Sequence, residues 1–240
     1  MSAPSNRFVR ALRSWRTQGR VPVIAEIKLH SEKEGRLMQA QDLAARIAQY
    51  EAGGAACISV VTGRWFGGSL SLLEQARALT PLPLLRKDFI VSVAALDASR
   101  EAGANAVLLT RKLLSADTLA ALADAALSRS LTPFIEVADG AEAAGTPLPV
   151  GCVLAVTNRD IACRETDDGD HRHSLALAAQ VRRRGAAALV SASGIRTPGE
   201  VRALVAAGYD AALVGTALLR AADAAAWLAG AAHAAEEIAA

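Results

Sequence analysis

Long apolar runs are missing from this chain. Charges or glycines interrupt every candidate before it reaches the roughly 18 residues a spanning helix needs, which excludes a transmembrane segment. Charge of one sign is also missing: 26 Lys and Arg stand against 24 Asp and Glu, and aromatics make up only 4% of the chain. Without a basic stripe or interleaved aromatics, nucleic acid is excluded as a partner, while a small anionic ligand is not. Cysteine is scarce and odd in number. Cys57, Cys152 and Cys163 have neither metal nor redox spacing and read as reduced thiols of a cytoplasmic protein. Neither a G-x-G-x-x-G fingerprint nor a P-loop is present, which weighs against nucleotide binding.

Acids are absent from the first 25 residues, where Arg7, Arg10, Arg13, Arg16 and Arg20 recur at helical spacing opposite an apolar stripe of Phe8, Leu12 and Trp15. Transit peptides share that composition. Here no serine-rich or cleavage-like stretch follows, and the segment runs straight into "VPVIAEIK", so a helix over residues 1–20 docked on the main body fits better.

What is present is a full core's worth of hydrophobic residues, 52% of 240. A joint also repeats: "YEAGGAACISVV", "REAGANAVLLT", "RRRGAAALVSAS" and "VAAGYDAALVG" each pass from a helical stretch through a glycine (Gly53, Gly103, Gly185, Gly208) into an apolar run. A left-handed helix cap followed by a strand explains the pattern. Strands are expected near 21–28, 57–62, 82–89, 106–110, 132–138, 153–158, 188–194 and 211–217, with one alanine- and leucine-rich helix fitting most intervals. Near-continuous apolar strands at even spacing predict an α/β fold, a single (β/α)8 TIM barrel spanning residues 1–240.

Such barrels place their reacting groups at the C-terminal ends of the strands. Those ends carry Glu26 and Lys28 from the first strand, Lys87 from the third, Glu136 from the fifth and the run Thr157-Asn158-Arg159-Asp160 from the sixth. Glu26 and Lys28, two apart on a strand, share a face. Arg86 and Asp88 fall on the face opposite Lys87 and fit a salt bridge between barrel and helix. Lysines and carboxylates at one end of three strands can supply a general acid, a base and an electrostatic clamp. After the seventh and eighth strands, "SASGIRTPGEV" and "VGTALL" offer backbone amides for a phosphate, with a capping box at Thr197 to Glu200 and Arg159 one strand away. The acid- and histidine-rich "DDGDHRH" at 167–173 has no metal-ligand spacing and reads as a solvated loop before a helix near Ser174; His30 reads as a loop histidine beside the mouth.

With "AEIK", "YEAGGAACISV", "FGGSL", "LRKDFIV", "GANAVLL", "IEV", "NRD", "SGI" and "ALVGTALL" in this order over about residues 21–220, the chain resembles the indole-3-glycerol phosphate synthases. The resemblance implies a carboxy-lyase of tryptophan biosynthesis that closes, decarboxylates and dehydrates 1-(o-carboxyphenylamino)-1-deoxyribulose 5-phosphate without metal or organic cofactor. It implies Lys87 as general acid, Lys28 as holder of the substrate carboxylate, Glu136 as base for the dehydration and Glu26 as the group orienting the anilino nitrogen. It also implies an aryl pocket of Phe66, Phe89 and Leu109, contacts from Thr157 and Asn158, and phosphate and hydroxyl contacts from Ser193, Gly194, Gly215, Thr216 and Arg159. The expected assembly is a monomer or weak homodimer with no partner beyond a phosphorylated small molecule.

Departures from the family pattern cluster around the substrate. The loop that usually reads SPSKG is Ser31-Glu32-Lys33-Glu34-Gly35, Thr157 replaces an asparagine, Ala192 replaces a glutamate, and "TGRWFGGS" is one residue shorter and lacks an acid. Three functions remain open at this point: the standard ring closure, the same chemistry on a related amino-deoxyketose phosphate or modified anthranilate, and a non-catalytic barrel that binds phosphorylated ligands.

Overall fold

The computed structural model describes residues 6–159 and 168–232; Asp160, Cys163 and Asp167 lie outside them. Eight parallel strands form a closed barrel: β1 (Val23–Ile27), β2 (Cys57–Val61), β3 (Leu84–Lys87), β4 (Ala106–Thr110), β5 (Thr132–Val137), β6 (Val153–Thr157), β7 (Ala188–Ala192) and β8 (Ala211–Val214). Each pairs with the next, and β8 pairs with β1 through Ile24 and Leu213. Every strand residue is buried, as expected of strands covered on both faces.

Strand alternation divides the core into two layers. Ile24, Cys57, Leu85, Leu108, Phe134, Val153, Val190 and Leu213 fill the barrel interior. Their chain neighbours, such as Ala25, Ile58, Leu109, Ile135 and Leu154, face outward and pack under the helices. The outer ring comprises α2 (Leu43–Ala52), α3 (Leu70–Leu79), α4 (Val93–Glu101), α5 (Ala116–Ser128), α6 (Gly140–Ala144), α7 (Arg172–Val181), α8 (Pro198–Ala206), α9 (Thr216–Arg220) and α10 (Ala224–Ala232). Three of the four expected glycine caps are left-handed: Gly103 (φ 90°), Gly185 (79°) and Gly208 (107°). Gly53 is not. Its φ is −77° and the next residue, Gly54, takes the left-handed position at 80°. A different constraint holds at Gly53: a Cβ there would meet the Ala225 Cα at 2.7 Å, so its bare backbone lets α10 approach.

The helix α1 (Arg7–Thr17) closes the N-terminal end of the barrel. Phe8, Val9 and Leu12 enter the interior layer, where Phe8 meets Phe134 edge to face at 6.2 Å. Asn6 caps α1 by accepting from the Val9 amide and also accepts from the Thr132 hydroxyl at 2.6 Å. Three of the arginines donate to backbone carbonyls ahead of the strand starts, Arg7 to Pro81, Arg13 to Ala187 and Arg16 to Tyr209. These bonds satisfy carbonyls at the helix-to-strand joints.

Candidate active site

The opposite end of the barrel is built from the last inward-facing residue of each strand and the loop behind it. Glu26 and Lys28 project together from β1, with Nζ of Lys28 3.6 Å from Glu26 Oε1. From β3, Lys87 reaches the other carboxylate oxygen at 3.2 Å, outside hydrogen-bonding alignment. A buried carboxylate therefore lies between two nearly buried ammonium groups, each charge stabilised by its neighbours at the cost of water. Glu26 is held from two further sides. The Tyr50 hydroxyl donates to its backbone carbonyl at 2.9 Å, and burial pushes the Tyr50 pKa up, so the phenol stays a donor. A Cβ on Gly215 would lie 2.4 Å from Glu26 Oε1, so only glycine lets β8 end against this carboxylate.

Around this triad the cavity has two lobes. The first, of about 350 Å³, has apolar walls from Val61, Trp65, Phe66, Phe89 and Leu108, with the buried Glu136 also in its lining. Lys28 lies over the Phe66 ring, 5.6 Å from its centroid. The second, of about 280 Å³, is lined by Ser193, Gly194, Gly215 and Thr216 together with Arg196. Ser193 and Gly194 both have positive φ, 68° and 64°, which presents their backbone to the lobe. Gly194 also has no room for a Cβ, which would lie 2.8 Å from the Gly169 carbonyl carbon. Lys28, Lys87 and Arg159 line both lobes and so join them into one cleft.

The loop after β1 folds into a short hairpin, His30–Ser31 against Gly35–Arg36, that the sequence did not suggest. It places Glu32 in the first lobe and Glu34 in the second. Arg220 of α9 donates to the Glu34 carbonyl at 2.8 Å, and Lys33 pairs with Asp168, whose carboxyl is held below its ordinary range chiefly by that contact. His30 is exposed on the hairpin and lines neither lobe.

Two expected site residues are placed elsewhere. Leu109 faces outward into the helix layer, fully buried, because the register sets Thr110 beside the inward-facing Glu136; Leu108 is the residue in the first lobe. Asn158 follows the inward Thr157 and so turns away from both lobes. Its amide donates to the Ser191 hydroxyl and the Ser193 carbonyl, and its oxygen accepts from the amide and hydroxyl of Ser174. Every hydrogen-bonding group of this side chain is committed to holding β6, β7 and α7 together. Arg86 and Asp88 form the expected structural pair at 2.9 Å, anchored further by Thr62 and Ser99. In the 168–173 stretch, Asp170 pairs with Arg172, which holds its carboxyl down at about 2, and no metal-binding group of three appears among the described residues. Trp65, Leu108 and Arg196 join the cleft without having been singled out in the sequence.

Fold and cleft together define a (β/α)8-barrel protein with one bipartite site at the C-terminal ends of its strands. The profile of the family described as indole-3-glycerol phosphate synthase matches residues 1–229. An indole-3-glycerol phosphate synthase of Rhodopirellula baltica is 39% identical over 204 residues, covering 85% of this chain and 77% of that protein. Proteins of the same description from Streptomyces coelicolor and Pyrococcus furiosus are also 39% identical, covering 85% and 83% of this chain and 74% and 86% of their own length. The chain belongs to the indole-3-glycerol phosphate synthase family.

Proposed function

We propose that this protein converts 1-(o-carboxyphenylamino)-1-deoxyribulose 5-phosphate to indole-3-glycerol phosphate, carbon dioxide and water, a lyase step of tryptophan biosynthesis. The observation that carries the reading is the joining of an apolar lobe and a glycine-lined basic lobe by Lys28, Lys87 and Arg159. One lobe suits an aryl ring and the other a phosphate, and the shared cations sit where a carboxylate and a ketone must lie between them.

The phosphate binds the backbone of Ser193, Gly194, Gly215 and Thr216 with Arg159 alongside, and the ring lies against Phe66, Phe89 and Leu108. Lys28 holds the ring carboxylate. The aryl carbon bearing that carboxylate attacks the ribulose ketone carbon as Lys87 delivers a proton to the ketone oxygen. Loss of carbon dioxide then restores the aromatic ring. Glu136 takes the proton that the new ring gives up and returns it to the departing hydroxyl, which leaves as water, so that the proton from Lys87 is the one consumed overall. Glu26, fixed between the two lysines, orients the anilino nitrogen and balances the ammonium charges. The proposed assembly is a monomer or weak homodimer, and the buried thiols of Cys57 and Cys152 fit a reducing cytoplasm.

The test is an assay of the purified protein with this substrate, following indole fluorescence beside a Lys87→Ala control. Turnover that falls by about two to four orders of magnitude in the control is the expected result. A folded wild-type protein with no turnover overturns the reading. A variant of it, in which the aryl ring is larger than carboxyphenyl, is favoured by the shape of the first lobe.

A further inference from the structure

The chain has four phenylalanines, three tryptophans and two tyrosines. Six of these aromatics have structural tasks. Phe8 and Phe134 pack in the barrel, Tyr50 and Tyr209 are buried with their hydroxyls bonded to Glu26 and Ser174 carbonyls, Trp15 stacks under Arg20 at 3.8 Å, and Trp227 packs on the outer core. The remaining three, Trp65, Phe66 and Phe89, line the first lobe of the cleft.

Trp65 is the anomaly among them. Its side chain belongs to neither core cluster, and 54% of the residue is open to water, although the indole is the largest apolar group available to the fold. Its ring contact is with Phe89, centroids 5.4 Å apart and planes tilted by 33°. The turn that carries it is firmly built. A 3-10 turn over Arg64–Phe66 ends in left-handed Gly67, and Gly68 passes so close to β2 that a Cβ would meet the Val61 carbonyl oxygen at 2.2 Å. A turn that holds a large apolar side chain in water beside a cavity leaves free energy unrealised until something covers that side chain.

The lobe's size points the same way. An engineered cavity of about 150 Å³ accommodates benzene. The lobe here measures about 350 Å³. A single carboxyphenyl ring against Phe66, Phe89 and Leu108 is smaller than this lobe, whose lining also includes Trp65.

We propose that Trp65 is the specificity-determining residue for the aryl end, and that the site takes N-(2-carboxyaryl)-1-amino-1-deoxyribulose 5-phosphates whose aryl group carries an apolar substituent or second fused ring reaching the indole. This rests on the function proposed above and extends its substrate class. Burial of Trp65 by the added group supplies the preference, with Phe89 packed against the indole.

The experiment uses two unreactive probes in which the ketone is reduced to an alcohol, one with a carboxyphenyl and one with a carboxynaphthyl group. Binding to the full-length protein is measured by calorimetry and, where Trp65 is present, by the change in tryptophan emission. The naphthyl probe is expected to bind at least about tenfold more tightly to the wild type, an advantage that falls to within about twofold in Trp65→Ala and is largely kept in Trp65→Phe. Phenyl binding without a naphthyl advantage overturns the inference and leaves the proposed function standing. The same advantage in Trp65→Ala removes Trp65 from the explanation and also overturns it. Failure of both probes to bind the folded wild type overturns the function and the inference together.

Discussion

The two ends of the barrel are made from the same eight strands and differ in nearly every physical respect. At the N-terminal end the interior is apolar, sealed by Phe8, Val9 and Leu12 of α1, with polar contacts between the helix and backbone carbonyls at its edge. At the C-terminal end the same inward-facing rows finish in Glu26, Lys28, Lys87 and Glu136, and apolar side chains such as Trp65 and Phe89 stand in water. One end has an apolar interior closed off by a helix; the other has a charged interior that opens into a cleft. The difference shows where stability comes from in this chain and where stability has been given up for a binding surface.

Changes at the mouth should therefore harm chemistry more than folding. Lys87→Ala, the largest expected effect, should lower kcat by about two to four orders of magnitude. Its thermal midpoint should move by no more than about 4 °C, equivalent to about 1 kcal/mol for a chain of this size. A collapse of the midpoint on that substitution would break the comparison. Phe8→Ala is the converse. Truncating a buried phenylalanine costs about 3–5 kcal/mol, so calorimetry should show a midpoint about 10 °C lower or more, while kcat/KM of the folded protein stays at the wild-type value.

Gly215→Ala sharpens the contrast within the mouth itself. A methyl group 2.4 Å from Glu26 Oε1 must displace the carboxylate or the start of α9. Steady-state kinetics should show kcat/KM down by about ten- to a hundredfold, the cost of losing a charge-assisted contact of about 1.5–3 kcal/mol. If Glu26 is the element that moves, kcat falls; if only the glycine-lined lobe is disturbed, KM rises alone.

Much of this division could be read from the residues. The eight strands stand out because parallel strands buried on both faces read as continuous apolar runs, and the glycine joints mark where each begins. Charges at the ends of such runs are conspicuous for the same reason, and Glu26, Lys28, Lys87 and Glu136 are legible on that ground. The phase of a strand is harder to read. In "AVLLT" both leucines are buried, and only pairing of Thr110 with Glu136 across the ladder decides that Leu108 faces in and Leu109 out. The same parity turns Asn158, one step beyond Thr157, away from the cleft. Trp65 carried no signal because a loop sequence does not say which way a side chain points. The hairpin after β1 has strands of only two residues, too short for periodicity to register.

The smallest expected effect tests how tightly α1 seals its end. Cys57 faces the barrel interior with its sulfur 3.9 Å from the Phe8 carbonyl, while Cys152 lies in the outer layer. Burial raises both thiol pKa values, that of Cys152 to about 11. Both therefore remain protonated in the folded protein at pH 8, where an unfolded cysteine, near 8.5, is already partly thiolate. The stabilisation tied to these thiols is complete below about pH 8.5 and is lost as pH rises through the raised folded values. Iodoacetamide at pH 8, mapped by peptide mass spectrometry, should label neither residue in the native wild type over minutes. In Phe8→Ala under native conditions, Cys57 should label several-fold faster while Cys152 changes less, because local opening of α1 uncovers only the interior layer. Equal acceleration at both cysteines would mean that the helix and the barrel open as one unit, and that the seal at this end has no stability of its own to lose.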